Sequence, residues 1–274
     1  MRPLSVSSHL SRWLVALVLI PVFLVLVLAG PWYVIDPVVF LLGAAALIEF
    51  YRMVFRPTPW PLVVIGLAGL GLILWGARFP FAGSDALMFA LALWPGWLYV
   101  LLRYQALGRT FHYLGLFSLG HVYVSLLVSF FIRLIALADG RLWIVFVAAV
   151  TFGADTAAFY TGRTLGRHRL YPAVSPNKTA EGLAGGLVGG GLVALLFVQL
   201  FLPGRLSWAE ALALGAVLGL GAAAGDLFES MLKRAAEVKD SGQLLMGHGG
   251  VLDRLDALLF NVPLLVLYLT LFKG

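Results

Sequence analysis

Residues 182–202 read Gly-Leu-Ala-Gly-Gly-Leu-Val-Gly-Gly-Gly-Leu-Val-Ala-Leu-Leu-Phe-Val-Gln-Leu-Phe-Leu and contain no charged side chain. An apolar run of about 20 residues is long enough to cross a hydrocarbon core of about 30 Å as an α-helix. Apolar residues occupy every face of this run, which is typical of a helix surrounded by lipid or by other helices. The stretch therefore predicts a membrane-spanning helix.

Comparable apolar runs recur from one end of the chain to the other. To within several residues, the nine predicted spans are 13–30, 33–53, 60–77, 86–103, 113–135, 142–162, 182–202, 208–228 and 255–272. No segment alternates polar and apolar residues in the manner of barrel strands. We therefore predict an all-α polytopic membrane protein with about nine transmembrane helices.

The composition excludes a soluble protein. Of the 274 residues, 61% are hydrophobic and only 12% are charged, and the mean hydropathy is +0.97. A soluble domain carries roughly 25% charged residues, so this chain lacks the polar surface that would keep it dissolved. The sequence contains no cysteine, which excludes disulfides, thiolate chemistry and zinc-thiolate sites.

The N-terminus resembles a signal peptide because Arg2 and Arg12 precede an apolar stretch. That stretch runs from Trp13 to about Leu28, which is long for the apolar region of a signal peptide, and no A-x-A-like cleavage site follows. We therefore predict a retained first transmembrane helix.

The distribution of Lys and Arg predicts the orientation. With the N-terminus in the cytoplasm, 14 of the 19 cations fall in cytoplasmic segments. The cations left on the other side are Arg78, Arg133, Arg141, Arg205 and Lys273. The sequence thus favours an N-in, C-out protein of the inner (cytoplasmic) membrane. We attribute the net charge of +6 to topology and anionic lipid headgroups, and expect no nucleic-acid partner.

Polar residues are distributed unevenly along the chain. In residues 1–140, short connections join the spans, and the scattered acids Asp36, Glu49 and Asp85 form no cluster. Residues 141–274 contain two long polar connections, 163–181 and 229–254, both cytoplasmic by the charge count. We predict that residues 1–140 are a scaffold that supplies dimer contacts and that residues 141–274 form the catalytic region.

Glycines recur at helical spacing in two neighbouring spans. They are Gly182, Gly186 and Gly190 in the first span, and Gly215, Gly219, Gly221 and Gly225 in the second. Small residues at this spacing let helix backbones approach closely in lipid. We expect these spans to pack tightly and to hold Asp226 in a fixed position.

A group of carboxylates and cations lies between Asp226 and Asp256. Asp226 ends an apolar span, where a carboxylate is costly and indicates function. Ser230, Lys233 and Glu237 follow at intervals that predict one helical face with Asp226. Farther on, the Gly247-His-Gly-Gly250 turn precedes Asp253 and Asp256, whose spacing also predicts a shared helical face.

This combination of residue types suits bound phosphates. Carboxylate oxygens are typical Mg²⁺ ligands, and Mg²⁺ usually takes one or two carboxylates together with substrate phosphates and waters. Lys and Arg then neutralise the remaining phosphate charge. A backbone rich in glycine lets N–H groups approach phosphate oxygens. A second polar segment, Ser175 to Glu181, predicts a loop in which Lys178 and neighbouring hydroxyls contact phosphate.

Three motifs carry a resemblance to a known family. The run Ser230-x-x-Lys-Arg-x₄-Lys-Asp-x-Gly-x₃-Met-Gly-His-Gly-Gly-x-x-Asp-Arg-x-Asp256 resembles the signature of the phosphatidate cytidylyltransferases, or CDP-diglyceride synthases. Ser175-Pro-Asn-Lys-Thr-Ala-Glu-Gly182 is similar to that family's second motif, and Gly225-Asp-Leu-Phe-Glu-Ser230 matches the lead-in. The resemblance covers roughly residues 150–260. One departure is Met246, where the family usually has proline.

The resemblance implies an activity, a cofactor and an assembly. Members of the family make CDP-diacylglycerol and pyrophosphate from CTP and phosphatidate, need Mg²⁺ and associate as homodimers. Asp226 and Asp253 would then be the metal carboxylates with Asp256 in support, and a second cation is left open. The implied catalytic residues are Asp226, Lys233, Lys239, Asp240, Asp253 and Asp256. The implied substrate-binding residues are Ser175, Lys178, Thr179, Glu181, Ser230, Arg234, His248, Gly249, Gly250 and Arg254.

Other functions need similar residues. A CTP-dependent lipid or polyprenol kinase has the same physical requirements, and only the motifs argue against it. A secondary transporter is suggested by Asp155 and Glu49 within apolar spans, but transporters place such residues near the membrane midplane in corresponding halves. A CDP-alcohol phosphotransferase would need a D-G-x-x-A-R motif, which Asp253-Arg-Leu-Asp256 does not supply.

Overall fold

A computed structural model describes residues 20–103, 107–242 and 249–273. The helices of the first half are α1 (Ile20–Ala29), α2 (Trp32–Val54), α3 (Trp60–Arg78), α4 (Ser84–Arg103), α5 (Leu107–Gly120), a π-helical segment (His121–Leu126) and α6 (Leu127–Ala136). Those of the second half are α7 (Gly140–Leu165), α8 (Ala180–Phe201), α9 (Trp208–Ala235) and α10 (Leu252–Phe272).

Within these ranges, eight helical segments are long and apolar enough to cross a membrane. One of them, Gly108–Ala136, comprises α5, the π-helical segment and α6 in continuous succession. The prediction of an all-α polytopic membrane protein is confirmed. Of the first predicted span, 13–30, the described part is helical from Ile20 to Ala29, and the remainder lies outside the described residues.

The predicted connection 229–254 is shorter than expected because helices extend into it from both sides. Helix α9 continues to Ala235, beyond the predicted end at residue 228, and α10 begins at Leu252. Hydropathy detects only the apolar part of a helix, whereas the backbone stays helical into the polar layer. Helix α10 begins three residues before the predicted span 255–272, which is the condition under which Asp253 and Asp256 share a helical face, and both lie in its first two turns.

The expected loop at 175–181 is a β-hairpin instead. Strand β1 (Arg169–Tyr171) pairs antiparallel with β2 (Ser175–Thr179), and α8 follows directly. Pairing gives partners to backbone N–H and C=O groups that would otherwise lack them. In a two-stranded ribbon both strands are edge strands, so the unpaired side of β2 can accommodate Pro176.

Helix α8 shows how the apolar residues are divided between lipid and protein. Val188, Leu192, Leu196 and Leu200 form an exposed stripe with exposed fractions of 57–63%. Its glycines face inward, where a Cβ added at Gly190 would lie 2.5 Å from the carbonyl oxygen of Gly215 on α9. The prediction that these spans pack tightly against neighbouring helices is confirmed by this contact between α8 and α9.

Helix α10 contributes to two buried apolar clusters within the described residues. Leu252 and Leu259 pack in the cluster formed mainly by α2 to α6, whereas Val262 and Leu265 pack in the cluster formed mainly by α6 to α9. The start of α10 is therefore held from both halves of the chain. Asp253 and Asp256 are positioned by this arrangement.

Candidate active site

The site begins where α9 crosses α10. A Cβ added at Gly225 would lie 2.5 Å from the carbonyl oxygen of Asp256 and 3.0 Å from the Cα of Ala257. Only glycine permits this approach, and it brings the next residue, Asp226, beside the first turns of α10. Asp226 lies about 14 Å before the end of α9 at 1.5 Å per residue.

Lys233 joins two carboxylates from different helices. Its Nζ lies 3.0 Å from Glu229 Oε2 on α9 and 2.7 Å from Asp253 Oδ1 on α10. The side chains of Lys233 and Asp253 are each 14% exposed, and that of Glu229 is 1% exposed. Charge-assisted hydrogen bonds in a partly dry setting are strong and directional. This bridge fixes α9 relative to α10 at the polar end of the bundle.

The second oxygen of Asp253 holds the connection between α9 and α10. Asp253 Oδ2 accepts hydrogen bonds from the backbone N–H of Gly250 at 2.8 Å and of Ser241 at 3.2 Å. The two residues flank the part of the connection, residues 243–248, that lies outside the described ranges. Asp253 therefore ties both flanks of the predicted glycine turn to α10.

The β-hairpin reaches the same cluster through Lys178. Its Nζ lies 2.8 Å from Asp226 Oδ2 and donates a hydrogen bond of 3.2 Å to the carbonyl oxygen of Ala223. Ser230 donates to Asp226 Oδ1 at 3.2 Å, so the predicted face of Asp226 and Ser230 is present. The side chain of Asp226 is 46% exposed, so it stays accessible despite these contacts.

Other predicted substrate-binding residues have contacts within the protein. Thr179 caps α8 by accepting the N–H of Gly182 at 3.0 Å, and Glu181 accepts the N–H of Arg167 at 3.0 Å and contacts His168 Nδ1 at 2.6 Å. Arg234 donates to the carbonyl oxygen of Val174, so it also faces the hairpin. These contacts shape the loop end of the bundle, and the substrate roles of these residues stay predictions.

The remaining predicted site residues lie in or beside the connection between α9 and α10, except Ser175, which begins β2. Lys239, Asp240 and Arg254 are exposed, Ser175 and Gly249 are partly buried, and Gly250 is buried. His248 and Met246 lie outside the described residues.

The prediction that Glu237 continues the helical face of Asp226 is wrong. Helix α9 ends at Ala235, and Glu237 has a φ of 57°. The N–H of Val238 bonds the carbonyl oxygen of Lys233 and that of Glu237 bonds the carbonyl oxygen of Arg234. This is the hydrogen-bond pattern of a Schellman motif, which terminates the helix.

Sequence reasoning missed two buried acids of the site. Glu229 was visible only as part of the family lead-in, although its i, i+4 spacing to Lys233 was a usable signal. Glu49 on α2 is 3% exposed and contacts Ser241 and Leu252, about 200 residues later in the chain. Its partners are non-local, so no spacing rule could have found it.

The chemistry of the cluster fits a hard divalent cation. Three carboxylates, Asp226, Glu229 and Asp253, contact two ammonium groups, Lys178 and Lys233, and Asp256 lies one turn after Asp253 on α10. The buried Oε1 of Glu229 has no hydrogen-bond partner among the described residues. Within those residues no group of three or more His, Asp or Glu side chains is arranged to hold a metal ion by itself. Mg²⁺ needs only one or two carboxylates when substrate phosphates complete its shell.

Comparison with known proteins agrees with the motifs. The profile of the cytidylyltransferase family matches residues 10–272. The chain belongs to the cytidylyltransferase family. This cytidylyltransferase is 35% identical over 259 residues to the phosphatidate cytidylyltransferase of Bacillus subtilis, covering 92% of this chain and 94% of the relative.

Shorter matches to this cytidylyltransferase come from other bacteria. The phosphatidate cytidylyltransferase of Staphylococcus saprophyticus is 36% identical over 172 residues, which are 61% of this chain and 64% of the relative. That of Mycobacterium bovis is 39% identical over 150 residues, which are 55% of this chain and 48% of the relative. The resemblance on the motifs is thus confirmed at the level of the family.

Proposed function

We propose that this cytidylyltransferase transfers CMP from CTP to phosphatidate, giving CDP-diacylglycerol and pyrophosphate in phospholipid biosynthesis. The supporting observation is the placement of Lys178 and Lys233, each in contact with a carboxylate, at the polar end of helices long enough to span a membrane. A site at the polar end of membrane-spanning helices can bind a water-soluble nucleotide and a lipid phosphate at the same time. The relatives with this activity in their names supply the choice of substrates.

The reaction joins two anions. A phosphate oxygen of phosphatidate attacks the α-phosphorus of CTP, a new P–O bond forms, and the bond from the α-phosphorus to the oxygen bridging to the β-phosphorus breaks. Pyrophosphate leaves with that electron pair. The nucleophile is already anionic, so it needs little help from a general base. Positioning and charge neutralisation are the expected sources of catalysis.

Different residues of the cluster supply the charge neutralisation and the positioning. Lys178 and Lys233 supply positive charge for the phosphates, and Asp226 and Asp253 hold those ammonium groups in place. The N–H groups near Gly250 and the exposed Arg254 lie beside Asp253 at the start of α10. In the free enzyme, the carboxylates balance the charge of the two lysines. When substrates bind, each lysine would exchange its contact with a carboxylate for a contact with a phosphate.

We propose Mg²⁺ as the cofactor, held by Asp226 and Asp253 with Asp256 in support. When bound, it would neutralise charge on the triphosphate and on the departing pyrophosphate. The unpartnered Oε1 of Glu229 and the accessible side chain of Asp226 support a cation at this place.

The charge distribution supports an inner-membrane location with the site facing the cytoplasm. Each cation assigned to the far side has a partner in the structure. Arg78, Arg133, Arg205 and Lys273 pair with Asp36, Asp85, Asp139 and Glu210, and Arg141 donates to the carbonyl oxygens of Leu28 and Gly30. The orientation itself rests on the count of Lys and Arg, of which 14 of 19 lie at the end that carries the motifs, and such an excess favours the cytoplasmic side.

We also propose a homodimer, as the family resemblance implies. A concave apolar surface on α4, lined by residues that include Leu91, Trp94, Leu98 and Leu101, is a surface that a second copy could cover. Mass measurement of the protein in nanodiscs tests this assembly, and a single chain per disc at all loadings would contradict it.

The activity is tested with purified protein in nanodiscs containing phosphatidate, supplied with CTP and Mg²⁺. Pyrophosphate release and the lipid mass are followed together. A CDP-lipid that needs all three components and disappears with EDTA is the expected result. CTP consumption with phosphate transferred to a different lipid would replace the proposal with a kinase. No reaction with any nucleotide or lipid would favour a transporter.

A further inference from the structure

Glu49 is a buried carboxylate that contacts both flanks of the connection between α9 and α10. Its Oε2 accepts the N–H of Leu252 at 2.9 Å and the hydroxyl of Ser241 at 3.3 Å. A Cβ added at Gly242 or at Gly250 would overlap the carboxylate of Glu49. The backbone of the connection therefore lies directly against this side chain before and after the glycine turn.

The contacts of Glu49 are linked to those of Asp253. Ser241 is shared by the two acids, because its hydroxyl bonds Glu49 and its N–H bonds Asp253. On the other flank, Gly250 donates to Asp253 while the neighbouring Leu252 donates to Glu49. Two carboxylates from helices far apart in sequence thus hold the same pair of backbone segments.

This arrangement is costly for packing alone. Glu49 is 3% exposed within a predicted span, has no ion-pair partner among the described residues, and its Oε1 there accepts no hydrogen bond. A buried carboxylate with incomplete compensation lowers stability relative to an apolar side chain of similar volume. Such a departure from ordinary core composition is expected at functional sites.

We propose that Glu49 is a positioning residue for cytidylyl transfer. Helix α2 belongs to the half of the chain predicted to be scaffold, and through Glu49 it fixes the two described flanks of the connection, 241–242 and 250–252, which also contact Asp253. The kinetic test of this inference rests on the proposed function, because it measures cytidylyl transfer. Its structural consequence, a connection held in place by Glu49, is measurable without substrate.

The test compares Glu49→Ala and Glu49→Gln with Asp36→Asn as the matched control. Asp36 is an acid on the same helix, but it is ion-paired with Arg78 at the other end of α2, about 20 Å away at 1.5 Å per residue. For each protein we would measure kcat and KM for CTP, the unfolding temperature and hydrogen exchange across residues 236–252.

We expect Glu49→Ala to lower kcat/KM by about 100-fold, since small displacements of catalytic groups have effects of that size. Glu49→Gln should lie between Glu49→Ala and the wild type, because its amide oxygen can still accept the N–H of Leu252. Exchange should become faster at residues 241–242 and 249–252 in both variants. Asp36→Asn should keep kcat/KM and exchange in this segment unchanged, whatever it does to the unfolding temperature.

Two results would overturn the proposal. The first is a folded Glu49→Ala protein with wild-type kcat/KM. The second is a loss of activity accompanied by faster exchange spread over α2 to α4 and none specific to the connection. If Glu49→Ala does not fold, Glu49→Gln and Ser241→Ala decide, because a shared positioning role requires their effects on kcat/KM to be non-additive in the double variant. A wild-type protein that makes no CDP-lipid would refute the proposed function, while exchange would still decide whether Glu49 holds the connection.

Discussion

Lys178 Nζ lies 2.8 Å from Asp226 Oδ2, which ties the β-hairpin to α9 at the centre of the polar cluster. The side chain of Lys178 is 22% exposed and also donates to the carbonyl oxygen of Ala223. Its ammonium group therefore has a fixed position rather than the freedom of a surface lysine. A fixed cation beside an accessible carboxylate is suited to receive a phosphate group.

The first prediction concerns Lys178→Met. We expect kcat/KM for CTP to fall about 10- to 100-fold, because a hydrogen bond to a charged group is worth about 1.5–3 kcal/mol. The matched control is Lys273→Met, which removes a 2.7 Å ion pair with Glu210 at the opposite end of the bundle. Steady-state kinetics in nanodiscs would separate the two. Equal effects of both substitutions would show that Lys178 acts only through general stability.

The second prediction concerns the two carboxylates proposed to hold the metal. Asp226→Asn and Asp253→Asn should each lower turnover at least about 100-fold, the size of effect seen when electrostatic stabilisation is removed from an active site. Both proteins should still insert and fold, since the replacement is isosteric. Asp85→Asn, which breaks an ion pair with Arg133 away from the cluster, is the control. Substantial activity in both site variants would refute the metal assignment.

The sequence predicted the membrane fold and the main residues of the cluster for physical reasons. A lipid-facing helix must be apolar over about 20 residues, so the hydropathy of the chain is sufficient to predict the spans. Asp226 was visible because a carboxylate in an apolar run is rare, and the paired Gly190 and Gly215 were visible because their helical spacing repeats.

The features that were missed depend on tertiary contacts or on local hydrogen bonds. The hairpin of β1 and β2 is too short to show alternation, and the end of α9 depends on a left-handed residue, Glu237, rather than on a glycine. Glu49 has its partners at Ser241 and Leu252. A lone acid in an apolar helix gives no indication of such distant partners, so it suggested a transporter when only the sequence was considered.

The third prediction concerns the crossing of α8 and α9. Gly215→Val should lower the free energy of unfolding by about 1–3 kcal/mol or more, because the new side chain would overlap the backbone of Gly190 and Gly191. Gly115→Val is the control, since a Cβ added at Gly115 meets nothing within 4 Å. Thermal unfolding in the same detergent compares the two proteins. A stable Gly215→Val variant would mean that the helices can separate without cost.

The fourth prediction concerns the effect of removing the metal ion on activity and on stability. Removal of divalent cations with EDTA should abolish CDP-lipid formation but shift the unfolding temperature little, because Lys178 and Lys233 already neutralise Asp226 and Asp253. The packing of α9 on α10 at Gly225 likewise needs no ion. Adding Mg²⁺ back should restore activity without refolding. A large loss of stability in EDTA would contradict this view and would make the cation a structural part of the bundle. Full activity in EDTA would refute the proposed cofactor.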